Sequence, residues 1–215
     1  MDNYQRMLEN ATARFLTCDP VNFRGKTGAS CTENCIIADF LGERTEISLK
    51  TGEITVSGHR ADFYRCMCLY DWLCDGNSDA RAAGEFAPVS SLPGVLVRGN
   101  GLSMEPRSLA DAIDAQPEAF RRACRRLGGR SVPMGDMGFE IPLFADLSVI
   151  VKFYHGDAEF SPACILLWDR NILQYIRYET VYYLAGCLLR RLEEAMAEAA
   201  DQADVNAYIQ PKGLI

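Results

Sequence analysis

What the chain lacks narrows its function more than what it contains. No run approaches the ~20 apolar residues that span a bilayer. The start, MDNYQRMLEN, has no basic segment followed by an apolar one. These absences lead to the expectation of a cytoplasmic protein with no membrane segment. Positive charge is scarce: 22 Lys and Arg stand against 29 Asp and Glu, a net charge of -7 with a pI near 4.9. Arg121, Arg122, Arg125 and Arg126 form the only dense basic group, so nucleic acid and anionic membranes have little electrostatic hold on the chain. There is no G-x-S-x-G, and Arg24-Gly25-Lys26-Thr27-Gly28 lacks the spacing of a P-loop. His59 and His155 are the only histidines, and neither has a nucleophile at a recognisable spacing, which argues against triad hydrolysis.

C-x-x-C spacing is also missing, although the chain has nine cysteines, at 18, 31, 35, 66, 68, 74, 124, 164 and 187. Their odd number and scatter point to reduced thiols rather than a disulfide framework. Cys164 and Cys187 sit in apolar contexts, where a thiol acts as a small buried hydrophobe. The candidate metal ligands are Cys31 with Cys35, and Cys66 and Cys68 with Cys74. On a helix, positions 66 and 68 lie about 200° apart and cannot bind one ion. Cys31 and Cys35 share a face of either a helix or a strand, but two ligands alone make a weak site. No metal and no cofactor is assigned.

What is present is the alternation of a packed α+β domain. At 215 residues one substantial core is expected. Residues 1–58 read as a helix, over 4–16, and a strand meander over 35–40, 43–49 and 53–56. Ile47 and Leu49 alternate with Glu46 and Ser48, so one face of the middle strand is wet. Residues 59–130 read as helical and irregular. They hold a helix over 60–74, a poorly periodic stretch with a short strand near 86–89 and a helical turn near 108–113, and a helix opened by Pro117 and closed by Gly128-Gly129. Residues 131–215 carry the central strands and a long terminal helix over about 178–200 with Val181, Leu184, Leu188 and Leu192 inward. The fold expected is one α+β domain, an antiparallel or mixed sheet with helices packed mainly on one face.

The stretch 148–169 is its centre. Two β-like runs, around 149–154 and 163–168, flank a turn in which Gly156 permits positive φ and Pro162 removes a ladder donor. The pair is therefore antiparallel. Asp157 and Glu159 then sit at one end of the sheet, with the ring of Phe160 pinning the turn to the core. Asp136, Asp157, Glu159, Trp168, Asp169, Tyr178 and Glu179 are the candidate binding residues, because they lie where strands end and the last helix begins. Gathered at one rim, they would hold a hard cation, act as acid and base, or receive a cationic ligand against Trp168 and Tyr178. The plainer assignment is structural: Asp157 stabilising a turn, Asp169 opening the last connection, Glu179 complementing a helix dipole.

Residues from about 127 to 192 resemble a family known as domain of unknown function 3786, found mainly in anaerobic bacteria and archaea. The likeness is carried by Leu127-Gly128-Gly129, Gly135-Asp136, Asp157-Ala158-Glu159-Phe160 with Pro162, Leu167-Trp168-Asp169 and Tyr178-Glu179-Thr180. It departs at His155-Gly156. The resemblance implies no activity, because the family has none established. Some members resemble fusions to iron–sulfur domains, which implies a redox-protein partner, but the amino-terminal cysteines match no ferredoxin-type or corrinoid-protein cluster motif. The expected function is a ligand-binding or accessory module of anaerobic metabolism, with a small molecule or an iron–sulfur protein as partner. The alternative is an enzyme using Asp157, Glu159 and Asp169 on a metal ion or as acid and base.

Overall fold

In the computed structural model, residues 3–19, 21–24, 26–95 and 106–209 are described, with the backbone alone for 21, 24 and 200–209. Pro20 and the glycines of 96–105 in the stretch read as irregular lie outside the described residues. Helix α1 (Asn3–Thr17) buries Ala11 and Phe15, the latter stacked on Phe23 of the short α2 (Val21–Arg24) at 5.2 Å between ring centres. A meander follows: β1 (Ala29–Cys31), β2 (Cys35–Phe40), β3 (Glu43–Ser48), β4 (Ile54–Val56) and β5 (His59–Arg60). Gly28, entering it, has φ +76°, and a Cβ there would lie 2.5 Å from the Ala145 Cα, so both the backbone angle and the close approach require glycine.

Helix α3 (Phe63–Asp75) starts under Asp62, whose carboxylate accepts from the Tyr64 and Arg65 amides, an N-cap that satisfies two otherwise orphaned donors. After β6 (Phe86–Ala87) come α4 (Arg107–Ala115) and α5 (Pro117–Arg126). The second hairpin set is β7 (Arg130–Ser131), β8 (Met137–Phe144), β9 (Leu147–Tyr154) and β10 (Ala163–Asp169), and α6 (Tyr178–Ile209) ends the described chain. The helical turn expected near 108–113 is a nine-residue helix.

All of the strand pairs are antiparallel and belong to one sheet, ordered β5-β4-β3-β2-β8-β9-β10-β6, with β1 on β2 and β7 on β8. The two meanders touch through a single register pair, Phe40 with Phe144. The core face takes Met137, Phe139, Ile141 and Leu143 from β8, Val149, Val151 and Phe153 from β9, and Cys164, Leu166 and Trp168 from β10. Period-two alternation puts each set on one side. Helices cover that side: Phe120 of α5 meets Phe139 edge-on at 5.6 Å, and Trp72 of α3 meets Phe144 at 5.2 Å. On the other side Ile165 and Leu167 are half-buried and Tyr154 is exposed.

Two local expectations are corrected at the β9–β10 turn. Phe160 does not pin the turn to the core, because its ring is 70% exposed; the turn is held instead by Asp157, whose Oδ1 accepts from the Glu159 and Phe160 amides, both at 2.8 Å. Gly156 is not among the positive-φ glycines. Its need is space, since a Cβ would lie 2.8 Å from Pro162 Cδ.

Candidate functional site

The β9–β10 register fixes where the candidate residues fall. Tyr154 pairs with Ala163 at one end and Val149 with Trp168 at the other, and the six residue steps of β10 from Ala163 to Asp169 cover about 20 Å at ~3.3 Å each. Asp157 and Glu159 lie at the first end. Asp136 joins them, its Oδ2 accepting from the His155 amide at 2.8 Å. Trp168 and Asp169 lie at the second end, followed by the start of α6 with Tyr178 and Glu179. The single rim expected from the sequence is therefore two separate ends, because alternation determines the face a side chain takes, whereas strand direction determines its end.

At the second end the residues serve the fold. Asp169, 1% exposed, accepts from the Ala83, Gly84 and Asn171 amides at 3.0, 2.8 and 2.8 Å. It ties down the 82–84 loop and, through it, β6. Trp168 is fully buried, and its indole Nε1 has no hydrogen-bond partner among the described residues. The Tyr178 hydroxyl is 2.7 Å from that of Tyr182; burial, with the Tyr178 hydroxyl beside it, pushes Tyr182 up to about 12. Glu179 is exposed in the first turn of α6, where its charge complements the helix dipole. Asp157, Asp136 and Asp169 each accept from backbone amides, and Asp169 lies at the opposite end of β10 from the turn that holds Asp157 and Glu159.

At the first end there is a cleft. About 430 Å³ in volume, it lies between Pro106 with the amino-terminal half of α4 (Arg107, Ala110, Asp111) and residues 161–165. Its floor is apolar: Pro106, Ala110 and Cys164 are buried, and burial pushes the Cys164 thiol up to about 12. Its rim is acidic, with Asp111 exposed on α4 and Asp157 and Glu159 in the adjoining turn. One helical turn beyond Asp111, Asp114 Oδ1 meets His155 Nδ1 at 2.7 Å, and the Phe153 ring lies edge-on to the imidazole at 5.0 Å. This His–Asp pair was not legible in the sequence, since its partners are 41 residues apart.

One wall of the cleft is the stretch of β10 that β6 does not pair, open among the described residues. The Arg170 amide donates to the Glu85 carbonyl on the β6 side at 2.9 Å. The two-residue repeat of a strand points the backbone groups of Trp168, Leu166 and Cys164 the same way. β6 pairs only with Trp168 and Asp169. The amides and carbonyls of Cys164 and Leu166 on that side have no strand partner among the described residues.

The cysteines expected to bear on metal binding are divided. Cys31 pairs with Ile36 across the β1–β2 turn, and the Thr32 amide donates to the Cys35 carbonyl. The tight turn therefore puts Cys31 and Cys35 on opposite faces, correcting the shared face expected from spacing. Cys66 and Cys68 are buried on α3 with different neighbours, the Ala61 and Thr180 carbonyls. Among the described residues no group of three or more His, Cys, Asp or Glu side chains is placed to hold a metal ion, and no helix is long and apolar enough to cross a membrane.

A second groove, about 540 Å³, runs between α1 (Leu8, Thr12, Leu16) and Ile54, Cys66 and Tyr70. A family model described as Domain of unknown function (DUF3786) matches residues 19–191. That span contains the whole lining of the cleft and excludes α1. No curated protein and no solved structure matches the chain.

Proposed function

The chain belongs to the family described as Domain of unknown function (DUF3786), and from that premise we propose that it is a non-enzymatic accessory module that binds an extended, basic segment of a partner protein along the open edge of β10. The observation that carries the reading is the pair of backbone positions, Cys164 and Leu166, that have no strand partner among the described residues, beside a cleft. Strand addition supplies affinity through main-chain bonds and selectivity through pockets for alternate side chains. The apolar floor of Pro106, Ala110 and Cys164 suits a small aliphatic side chain. The surrounding acids, Asp111, Asp157 and Glu159, suit Lys or Arg at the alternate positions, and the net charge of -7 favours the same approach. Arg107 at the start of α4 is the opposing charge in the lining, so the basic residues belong toward the turn. The redox proteins suggested by the family resemblance are the first partners to test.

The test is an NMR titration with a blocked peptide of alternating valine and lysine. The Cys164 and Leu166 amides are expected to shift and gain exchange protection. D111K, at an exposed helix position, is expected to weaken binding about tenfold, equivalent to about 1.4 kcal/mol, and added salt to weaken it further. Shifts confined to other surfaces, or binding indifferent to D111K, would overturn the reading.

A further inference from the structure

The groove beside α1 is separate from the β10 edge, because the sheet order puts β4 and β10 five strand spacings apart, about 24 Å at ~4.8 Å each. Its α1 wall runs from Gln5 to Leu16, about 16 Å of helix. Glu53 and Ile54 with Arg60 of β5 form the facing wall, and Cys66 and Tyr70 of α3 the floor. The floor is apolar. Ile54, Cys66 and Tyr70 are each 5% exposed or less, and the Tyr70 hydroxyl is engaged by the chain itself, donating to the Gly52 carbonyl at 2.6 Å and accepting from Thr12 at 3.1 Å. Burial pushes the Cys66 thiol up to about 12, so it stays uncharged. Gly52 brings its turn against α1: a Cβ there would lie 2.8 Å from Thr12 Cγ2. The rim is charged and unbalanced. Glu53 lies 3.8 Å from Arg60, whereas the exposed Glu9 of α1 accepts, among the described residues, only from the Gln5 side-chain amide, at 3.2 Å.

We propose that this groove binds a small amphiphile, a linear aliphatic chain ending in a protonated primary amine. The chain lies against Leu8, Leu16 and Ile54, and the ammonium stays at the wet rim beside Glu9. Size selects a narrow chain. A volume of about 540 Å³ falls within the range of small-molecule sites, whereas three turns of a partner helix, ~10 Å across and about 16 Å long, take up roughly 1,250 Å³. Charge selects the head group. With Arg60 facing Glu53, Glu9 is the uncompensated charge of the lining, so a cation gains an ion pair there and a carboxylate head meets two acids against one base. The net charge of -7 favours the same approach. Burial of the chain supplies most of the affinity, because an ion pair at an exposed rim adds little. The floor suits a chain without polar groups along its length, since the Tyr70 hydroxyl is already bonded within the protein and a ligand hydroxyl or amide buried beside it would find no ready partner.

The test titrates the full methyl-labelled chain with decylammonium, decanol and decanoate, each below its micelle concentration. Expected are saturable shifts of the Leu8, Leu16 and Ile54 methyls with decylammonium, binding of decanol weaker by about fivefold, the upper range for an exposed ion pair, and binding of decanoate weaker still. E9Q, at an exposed helix position, is expected to bring decylammonium down to the level of decanol and to leave decanol unchanged. A13W, at an exposed position in the lining and folded by circular dichroism, is expected to block all three by filling the groove. Decanoate binding as tightly as decylammonium, a preference for the amine that survives E9Q, methyl shifts that survive A13W, or binding of a leucine–lysine helical peptide with none of decylammonium would overturn the proposal.

Discussion

Replacing Asp169 separates a structural carboxylate from a functional one. Its two oxygens serve three backbone donors, at Ala83, Gly84 and Asn171, from a side chain 1% exposed. D169A leaves three amides without their acceptor, at about 1–3 kcal/mol for each one that stays buried. Part is recovered as the 82–84 loop opens to water, which puts the net loss at about 3–4 kcal/mol. D169N keeps one oxygen, able to serve Ala83 and Asn171, but turns an amide group toward the Gly84 N–H; its loss is about 2 kcal/mol. For a chain of this length a kilocalorie lowers Tm by about 2–4 °C, so calorimetry is expected to show a fall of about 10 °C for D169A and about 5 °C for D169N. Exchange at Ala83 and Gly84 should rise in both, and with it fraying of β6. A D169A protein melting within about 2 °C of the parent, with those amides still protected, would refute the reasoning.

Asp157 is held below its ordinary value by the Glu159 and Phe160 amides, so its hold on the turn is complete above about pH 3.9 and is lost as pH falls through the depressed value. The amide resonances of Glu159 and Phe160 are expected to titrate together with a midpoint below that of a free aspartate; a midpoint at or above it would contradict the turn geometry. Burial, and then the bond from its hydroxyl to Asp146 at 2.6 Å, push Tyr175 well above its ordinary value. Its contribution is complete below about pH 10 and is lost as pH rises toward the raised value. Y175F should cost about 1 kcal/mol, or about 3 °C in Tm, and flatten the alkaline decline in melting temperature; an unchanged decline would count against it.

The strands of the central hairpin were legible because β-branched and aromatic residues alternate there, and the terminal helix because Val181, Leu184, Leu188 and Leu192 keep helical spacing. The nine residues of α4 were read as a single turn because proline and glycine crowd the chain before it and its apolar set, Leu109, Ala110 and Ile113, is short. The division of the carboxylates was implicit in the hairpin itself, since Asp157 sits in its turn and Asp169 follows the far end of the second strand. Asp157 and Asp169 both border the same strand, and only its direction separates them. No local pattern connects His155 to Asp114 or reveals that β6 stops after two residues, leaving Cys164 and Leu166 without a strand partner among the described residues.

The single register pair between Phe40 and Phe144 divides the sheet into two assemblies of unequal independence. Within each, β6 apart, a strand finds its partner a few residues along the chain, so little entropy is lost in bringing the two together. The Phe40–Phe144 seam joins remote positions through one ladder contact, a ring stack at 6.0 Å and the Leu41 amide on the Leu143 carbonyl. Contacts of that kind pay off only after a long loop has closed. The two halves of the sheet are therefore joined less by their ladder than by the one core beneath them, in which Trp72 of α3 packs on Phe144 and Phe40 lies in the same cluster as Phe139.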